Sequence, residues 1–84
     1  MGKYKPLQNF LGAGPKRPLS LSYEQIELIL GAGLPTSAHE YAEWWANEAL
    51  STTTHVQCRA WIGAGFDAHP DVAAKIVEFR PRSY

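Results

Sequence analysis

The tripeptide Gly-Ala-Gly occurs three times in this chain, at residues 12–14, 31–33 and 63–65, and each copy follows an apolar residue. Glycine readily adopts the left-handed conformation that ends many α-helices, so each copy is interpreted as a helix C-terminus. A dinucleotide-binding fingerprint would need a third glycine and a preceding strand, and the sequence offers neither. The repeated motif therefore predicts short helices and marks where three of them end.

Helix starts are visible as capping boxes, in which Ser or Thr is followed three residues later by Glu or Gln. Such boxes begin at Ser22, Ser37 and Thr54. Pro6 suits a first helical position, and the apolar residues after it have helical spacing. The predicted helices cover about residues 5–11, 23–30, 38–49 and 55–62.

The third of these helices is expected to bury one face and expose the other. Its predicted buried residues are Ala38, Tyr41, Ala42, Trp45 and Ala49. Adjacent tryptophans on a helix lie about 100° apart, so Trp44 should point away from Trp45. Trp45 is therefore predicted to belong to the core and Trp44 to lie at its boundary.

Strand signals lie between and after the helices. Leu19 to Leu21 can form a short strand, Phe66 can begin another, and residues 67–71 with Pro70 are interpreted as a turn. Residues 75–80 alternate, with Val77 and Phe79 expected on the buried face. The fold class is therefore α+β: a small winged-helix-like domain with three to four short helices packed on a two- to three-stranded antiparallel sheet.

Length and composition limit the possible functions. Eighty-four residues make a single domain, with a compact part over about residues 4–80. Cys58 is the lone cysteine, which excludes an internal disulfide and fits a reducing cytoplasm. No apolar run approaches the ~20 residues of a membrane span. The histidines and acids lack zinc spacing, and Cys58 is expected to be buried and inert. We therefore expect no enzyme activity, no cofactor and no metal.

Charge is distributed unevenly although the formal net charge is zero. Residues 1–17 contain basic side chains and no acid, residues 22–48 contain five glutamates and no Lys or Arg, and residues 59–84 are mixed. Basic ends and an acidic middle could also meet between two copies, so a homodimer is possible. The distribution favours a local basic face over a general affinity for polyanions.

A series of short motifs extends along most of the chain. In order, they are Leu34-Pro35-Thr36-Ser37-Ala38, Trp44-Trp45-Ala46-Asn47, His55-Val56-Gln57, Trp61, Ala64-Gly65-Phe66 and Val77-Glu78-Phe79-Arg80. The series resembles an uncharacterised family of small bacterial and phage domains with the pattern LPxSA, WWxN, HxQA, W, AGF and VxFxR. Cys58 stands where that pattern has Ala. The resemblance implies a compact domain and carries no activity.

Four residues of the acidic segment are candidates for binding a partner: Trp44, Asn47, Glu40 and Glu43. An exposed Trp44 would be a typical hot-spot residue, and a boundary residue packed on a loop is the simpler alternative. Asn47 could bind an adenine edge or tie down the backbone of the loop at residues 51–54, and the second is favoured.

Seven residues are candidates for binding nucleic acid: His55, Gln57, Arg59, Lys16, Arg17, Arg80 and Arg82. The first three lie on the helix before the predicted hairpin, which in winged-helix proteins enters the major groove. Gln57 could instead close the capping box with Thr54. The other four would converge, with Lys3 and Lys5, if residues 75–80 pair with residues 19–21.

Two functions follow as hypotheses. The first is a non-enzymatic nucleic-acid-binding module of winged-helix type. The second is a protein-interaction module from a phage or mobile element that inhibits a bacterial defence complex, in the manner of an anti-CRISPR protein.

Overall fold

The computed structural model describes residues 2–47 and 56–82 of the chain. Within these ranges there are four α-helices: α1 (Lys5–Ala13), α2 (Tyr23–Leu30), α3 (Thr36–Glu40) and α4 (Cys58–Ile62). A 3₁₀ helix (Ala42–Trp45) follows α3. Three strands complete the domain: β1 (Leu19–Ser22), β2 (Phe66–Asp71) and β3 (Ile76–Pro81). The predicted α+β class and order of elements are confirmed.

The strands form one antiparallel sheet in the order β1-β3-β2. Leu19 pairs with Phe79 across β1 and β3, and Ala68 pairs with Phe79 across β2 and β3. Val77 and Phe79 are fully buried on the face that the alternation predicted. The helices cover this face and enclose the core, whose largest members are Trp45, Trp61, Phe66 and Phe79.

Helix α2 begins and ends where the sequence predicts. The Gln25 amide donates to the Ser22 hydroxyl oxygen at 3.0 Å, and the Ser22 amide donates to the Gln25 side chain at 2.8 Å. Gly31 adopts the left-handed conformation, with φ of 74°, and its amide donates to Glu27. Both ends are therefore determined by contacts within a single helical turn.

The other two Gly-Ala-Gly motifs also mark helix ends, but their first glycines are not left-handed. Helix α1 extends to Ala13 and is capped by Gly14 in an extended conformation. Gly63 after α4 remains in the helical region, and the left-handed residue is Gly65, with φ of 89°. The motif predicts where a helix ends better than it predicts which glycine is left-handed.

The prediction of a continuous helix over residues 38–49 was wrong. Helix α3 starts at Thr36 without a side-chain cap, so Ser37 forms no capping box there. Tyr41 is extended, with φ of −127° and ψ of 122°, and its side chain is 56% exposed. Ala42 is exposed as well, and Ala49 lies outside the described residues. The break at Tyr41 lets the chain turn back, and Trp45 then donates its Nε1 hydrogen to the Ala38 carbonyl at 3.1 Å.

The predicted turn at residues 67–71 is strand β2 instead, and the hairpin turns at residues 72–75. Pro70 is compatible with a strand here because β2 is an edge strand. Its register partner is Val77. Ala68, two residues earlier, bonds through its amide and carbonyl to Asn47 on the outer edge, and alternation gives Pro70 the same orientation. Proline therefore occupies a position that needs no ladder donor. Lys75 completes the turn with a φ of 57°.

Candidate nucleic-acid interface

A cleft between the start of α1 and helix α4 brings together two basic side chains. Lys5 and Arg59 line it together with Gln8, Val56 and Ala60, and its volume is about 210 Å³. Every other residue of α4 is buried, so Arg59 is the side chain that this helix presents outward. The sequence assigned Lys5 to a basic end but did not connect it with Arg59.

Close contact between α1 and α4 holds the two sides of the cleft in position. A Cβ atom at Gly63 would lie 2.5 Å from the Arg59 carbonyl oxygen and 2.8 Å from Nε2 of Gln8. Both distances are too short for a real Cβ atom. The Gln8 side chain could move away, but the Arg59 carbonyl belongs to the backbone of α4, so the tight end of this helix requires glycine.

The described residues that line the cleft carry positive charges and no negative charge. No Asp or Glu is among its lining residues. The Nζ atom of Lys3 lies 5.5 Å from the centre of the Tyr4 ring, beside the same cleft. Burial raises the pKa of the Tyr4 hydroxyl above its ordinary value of 10, so this group adds no negative charge at neutral pH.

Of the three residues predicted to read bases from a helix over about residues 55–62, only Arg59 lies on α4, because this helix begins at Cys58. His55 lies outside the described residues. Gln57 is half-buried, and its Nε2 donates to the carbonyl oxygen of Trp44 at 3.2 Å. This bond fixes the amide of Gln57 against the 3₁₀ helix and uses one of the donors that a bidentate contact with adenine would draw on. Arg59 remains exposed.

Lys16 and Arg17 lie beyond the other end of α1, away from the Lys5–Arg59 cleft. The Lys16 ammonium donates to the Ala64 carbonyl and lies 4.9 Å from the centre of the Phe66 ring. Arg17 is exposed and lines a separate groove that is described below. The structure thus divides the predicted basic surface into two regions.

Arg80 of β3 and Arg82, which follows β3, both have acidic partners. Nε of Arg80 lies 2.7 Å from Oε1 of Glu78, and Nε of Arg82 lies 3.4 Å from Oδ1 of Asp67. Because β2 pairs with β3, Arg82 lies beside the segment that Lys16 contacts, and its amide donates to the Gly65 carbonyl at 2.9 Å. Lys16 and Arg82 thus come close as the sequence predicted, but Lys3 and Lys5 lie at the other end of α1, and the two arginine charges are locally compensated.

Trp44, the aromatic residue predicted to bind a partner, packs mainly against the core. Trp44 is half-buried, and its ring centre lies 5.8 Å from Tyr4, 4.7 Å from Trp45 and 6.4 Å from Trp61. Tyr41 is the more exposed aromatic side chain. It lines an open groove of about 490 Å³ together with Ser37, Glu43, Trp44 and Gln57. Glu40 is exposed one residue before Tyr41.

Asn47 is bound to the sheet. Its Nδ2 donates to the Ala68 carbonyl at 2.9 Å, and its Oδ1 accepts from the Ala68 amide at 2.7 Å. The expected backbone tie therefore exists, but its described partner is strand β2. The side chains of Trp45 and Gln57 likewise donate hydrogen bonds to the carbonyls of Ala38 and Trp44. These polar groups of the distinctive motifs therefore stabilise the fold.

Residues 2–47 and 56–82 hold no group of three or more His, Cys, Asp or Glu side chains arranged to bind a metal ion. Within the same ranges, every helix is too short or too polar to cross a lipid bilayer.

Comparisons with known proteins identify a family without an assigned activity. Neither a search of curated proteins nor a search of solved structures found a match to this chain. A family model described as "Domain of unknown function (DUF7662)" matches residues 4–81, which covers all described elements. The chain therefore belongs to this family of domains of unknown function, DUF7662.

Proposed function

We propose that this domain is a non-enzymatic binding module that binds nucleic acid through the cleft between α1 and α4. The observation that carries the proposal is the pair Lys5 and Arg59, which line one cleft with no acidic residue among its described lining. Two cations on a surface without carboxylates suit a phosphate backbone.

The position of the cleft supports the same proposal. Helix α4 directly precedes the β2–β3 hairpin, as the recognition helix precedes the wing in winged-helix proteins. In this arrangement Arg59 contacts the duplex from α4, while Lys3 and Lys5 contact phosphates from the start of α1. His55 is the remaining candidate next to this surface in the sequence.

The acidic part of the domain is expected to stay away from the duplex. Glu24, Glu40 and Glu43 are exposed on α2, α3 and the 3₁₀ helix. Few phosphate contacts are then available, about three to five, and each contributes about 0.9 to the slope of log affinity against log salt. Binding should therefore be modest and should weaken steadily with added salt.

Duplex binding at two or more salt concentrations tests the proposal. The double change Lys5→Ala with Arg59→Ala should weaken binding and reduce the salt slope by about two phosphate contacts. Arg80→Ala is the matched control, because Arg80 already pairs with Glu78. The double change Lys16→Ala with Arg17→Ala should weaken binding less, since these residues lie beyond the other end of α1.

Two results would contradict nucleic-acid binding. One is the absence of duplex binding at low salt by a folded wild-type protein. The other is an equal loss of affinity in Arg80→Ala and in the Lys5 and Arg59 double variant, because that pattern would reflect overall charge and not the cleft.

A protein-interaction module, including an inhibitor of a bacterial defence complex, is the second candidate. The open groove lined by Tyr41, Glu43 and Trp44 favours it, since exposed aromatic and acidic side chains suit a partner with a basic surface. Charge reversal at Glu40 and Glu43, or Tyr41→Ala, should then abolish the biological effect while duplex binding is absent. Retention of the effect in these variants would exclude this groove.

A further inference from the structure

A second groove opens between the C-terminal half of α1, the segment that leads into β1, and the start of β2. Its volume is about 500 Å³, which lies within the usual range for small-molecule sites. Phe66 and Leu11 form its floor and are almost fully buried. Phe10 and Leu19 form its sides and are 44% and 37% exposed.

The lining of this groove is apolar except for one charged side chain, and the Lys16 ammonium lies 4.9 Å from the centre of the Phe66 ring at its floor. Ala13, Gly14, Pro15 and Pro18 complete the lining, and Arg17 is the one charged residue among the described residues that line it. No carboxylate in the described ranges forms an ion pair with Arg17, and Asp67, which follows Phe66 in the sequence, pairs with Arg82. The groove therefore has a hydrocarbon-like body and an uncompensated guanidinium.

These features discriminate between a peptide and a smaller ligand. A peptide backbone laid along this lining would find no polar side chain except Arg17 among the described residues, so only the edge of β1 could satisfy its amide groups. A hydrocarbon chain or an aromatic ring has no such groups to satisfy. A carboxylate at one end would meet Arg17 in a charge-assisted pair.

We infer that this groove binds an apolar carboxylate, with the hydrocarbon body over Phe66 and Leu11 and the carboxylate at Arg17. Neither the ligand nor the site depends on nucleic-acid binding, because the Lys5–Arg59 cleft lies at the other end of α1. Acyl-chain and aromatic carboxylates share this chemistry, and the experiment distinguishes them.

Calorimetry and amide chemical shifts with straight-chain carboxylates from hexanoate to decanoate, and with 2-naphthoate, test the inference. Each methylene contributes about 0.8 kcal/mol when buried, so affinity should rise about fourfold per methylene until the groove is filled, and then level off. Shift changes should centre on Leu11, Gly14, Leu19 and Phe66. Tighter binding of naphthoate than of octanoate would assign an aromatic ligand, and the reverse an acyl chain.

Three variants locate the site. Arg17→Ala should lower the affinity for octanoate about tenfold and leave the affinity for octanol unchanged. Ala13→Trp should fill the groove and remove binding of both, and Ala13 is exposed at the end of α1, so this change should not prevent folding. Arg80→Ala, which alters an arginine outside the groove, should bind like the wild type.

Several outcomes would overturn the inference. These are an absence of saturable binding by any carboxylate of the series, equal affinity for octanoate and octyltrimethylammonium, or binding that Ala13→Trp leaves intact. A shift pattern centred on Lys5 and Arg59 would also overturn it, because the anion would then occupy the basic cleft.

Discussion

The side-chain amide of Asn47 pairs with both backbone groups of Ala68, donating to its carbonyl at 2.9 Å and accepting from its amide at 2.7 Å. Ala68 lies on β2, an edge strand of the sheet. Asn47 therefore takes the place of a neighbouring strand at this point and connects the end of the 3₁₀ helix to the sheet. It also blocks an edge that could otherwise pair with a second chain.

Removing this connection should destabilise the domain and expose the edge. Asn47→Ala leaves both groups of Ala68 without their partner, which should lower the free energy of unfolding by about 1–3 kcal/mol in urea melts. Asn9→Ala is the control, because Asn9 is exposed on α1 and should change stability by less than about 0.5 kcal/mol. Equal stability of the two variants would show that the Asn47 bonds contribute nothing.

The two adjacent tryptophans should differ in their contribution to stability. Trp45 is 1% exposed and donates to Ala38, so Trp45→Ala should cost about 3–5 kcal/mol and could abolish folding. Trp44 is half-buried, and Trp44→Ala should cost about 1–2 kcal/mol. Denaturant melts measure both values. Equal losses would contradict the different burial of the two side chains.

Two glycines of the repeated motif should respond oppositely to the same substitution. Gly31 has a φ of 74°, so Gly31→Ala should cost about 1–2 kcal/mol although the space around it is open. Gly12 lies inside α1 and an added Cβ would contact nothing within 4 Å. Gly12→Ala should therefore raise stability by about 0.5–1 kcal/mol. Thermal melts check both signs, and a gain at Gly31 would be inconsistent with a left-handed cap.

Stability should fall at alkaline pH because of two buried tyrosines. Burial raises the pKa of Tyr4 and of Tyr23 above the ordinary value of 10, so the folded state favours the neutral hydroxyl. This contribution is fully present below pH 10 and is lost as the pH rises through the folded-state values. Urea melts between pH 8 and pH 11 should show the loss.

The double variant Tyr4→Phe with Tyr23→Phe is the control for this prediction, because it removes both ionising groups. It should lose less stability over the same interval than the wild type. An identical loss in the two proteins would show that ionisation of Tyr4 and Tyr23 is not its cause.

The thiol of Cys58 should be inaccessible in the folded protein. Its side chain is 1% exposed and lies among the buried residues of α4. Thiol reagents should therefore label it only after unfolding, and Cys58→Ala should retain ligand binding. Labelling of the native protein within seconds, as detected by mass spectrometry, would contradict this prediction.

The sequence by itself determined the elements whose signals lie within one or two helical turns. Ser22 and Gln25 define the start of α2 and Gly31 its end, because their hydrogen bonds are local and need no other part of the chain. The alternation that buries Val77 and Phe79 is likewise a local pattern, and it correctly predicted the inner face of β3.

Only the tertiary structure decided the break at Tyr41, the strand at Pro70 and the cleft between Lys5 and Arg59. Each depends on contacts between residues far apart in sequence. The break at Tyr41 allows Trp45 and Asn47 to form hydrogen bonds to α3 and β2, which a continuous helix is not arranged to make. Pro70 is tolerated in a strand because β2 lies at the edge of the sheet. Lys5 and Arg59 line one cleft because α1 packs against α4, and helical periodicity carries no information about which helices become neighbours.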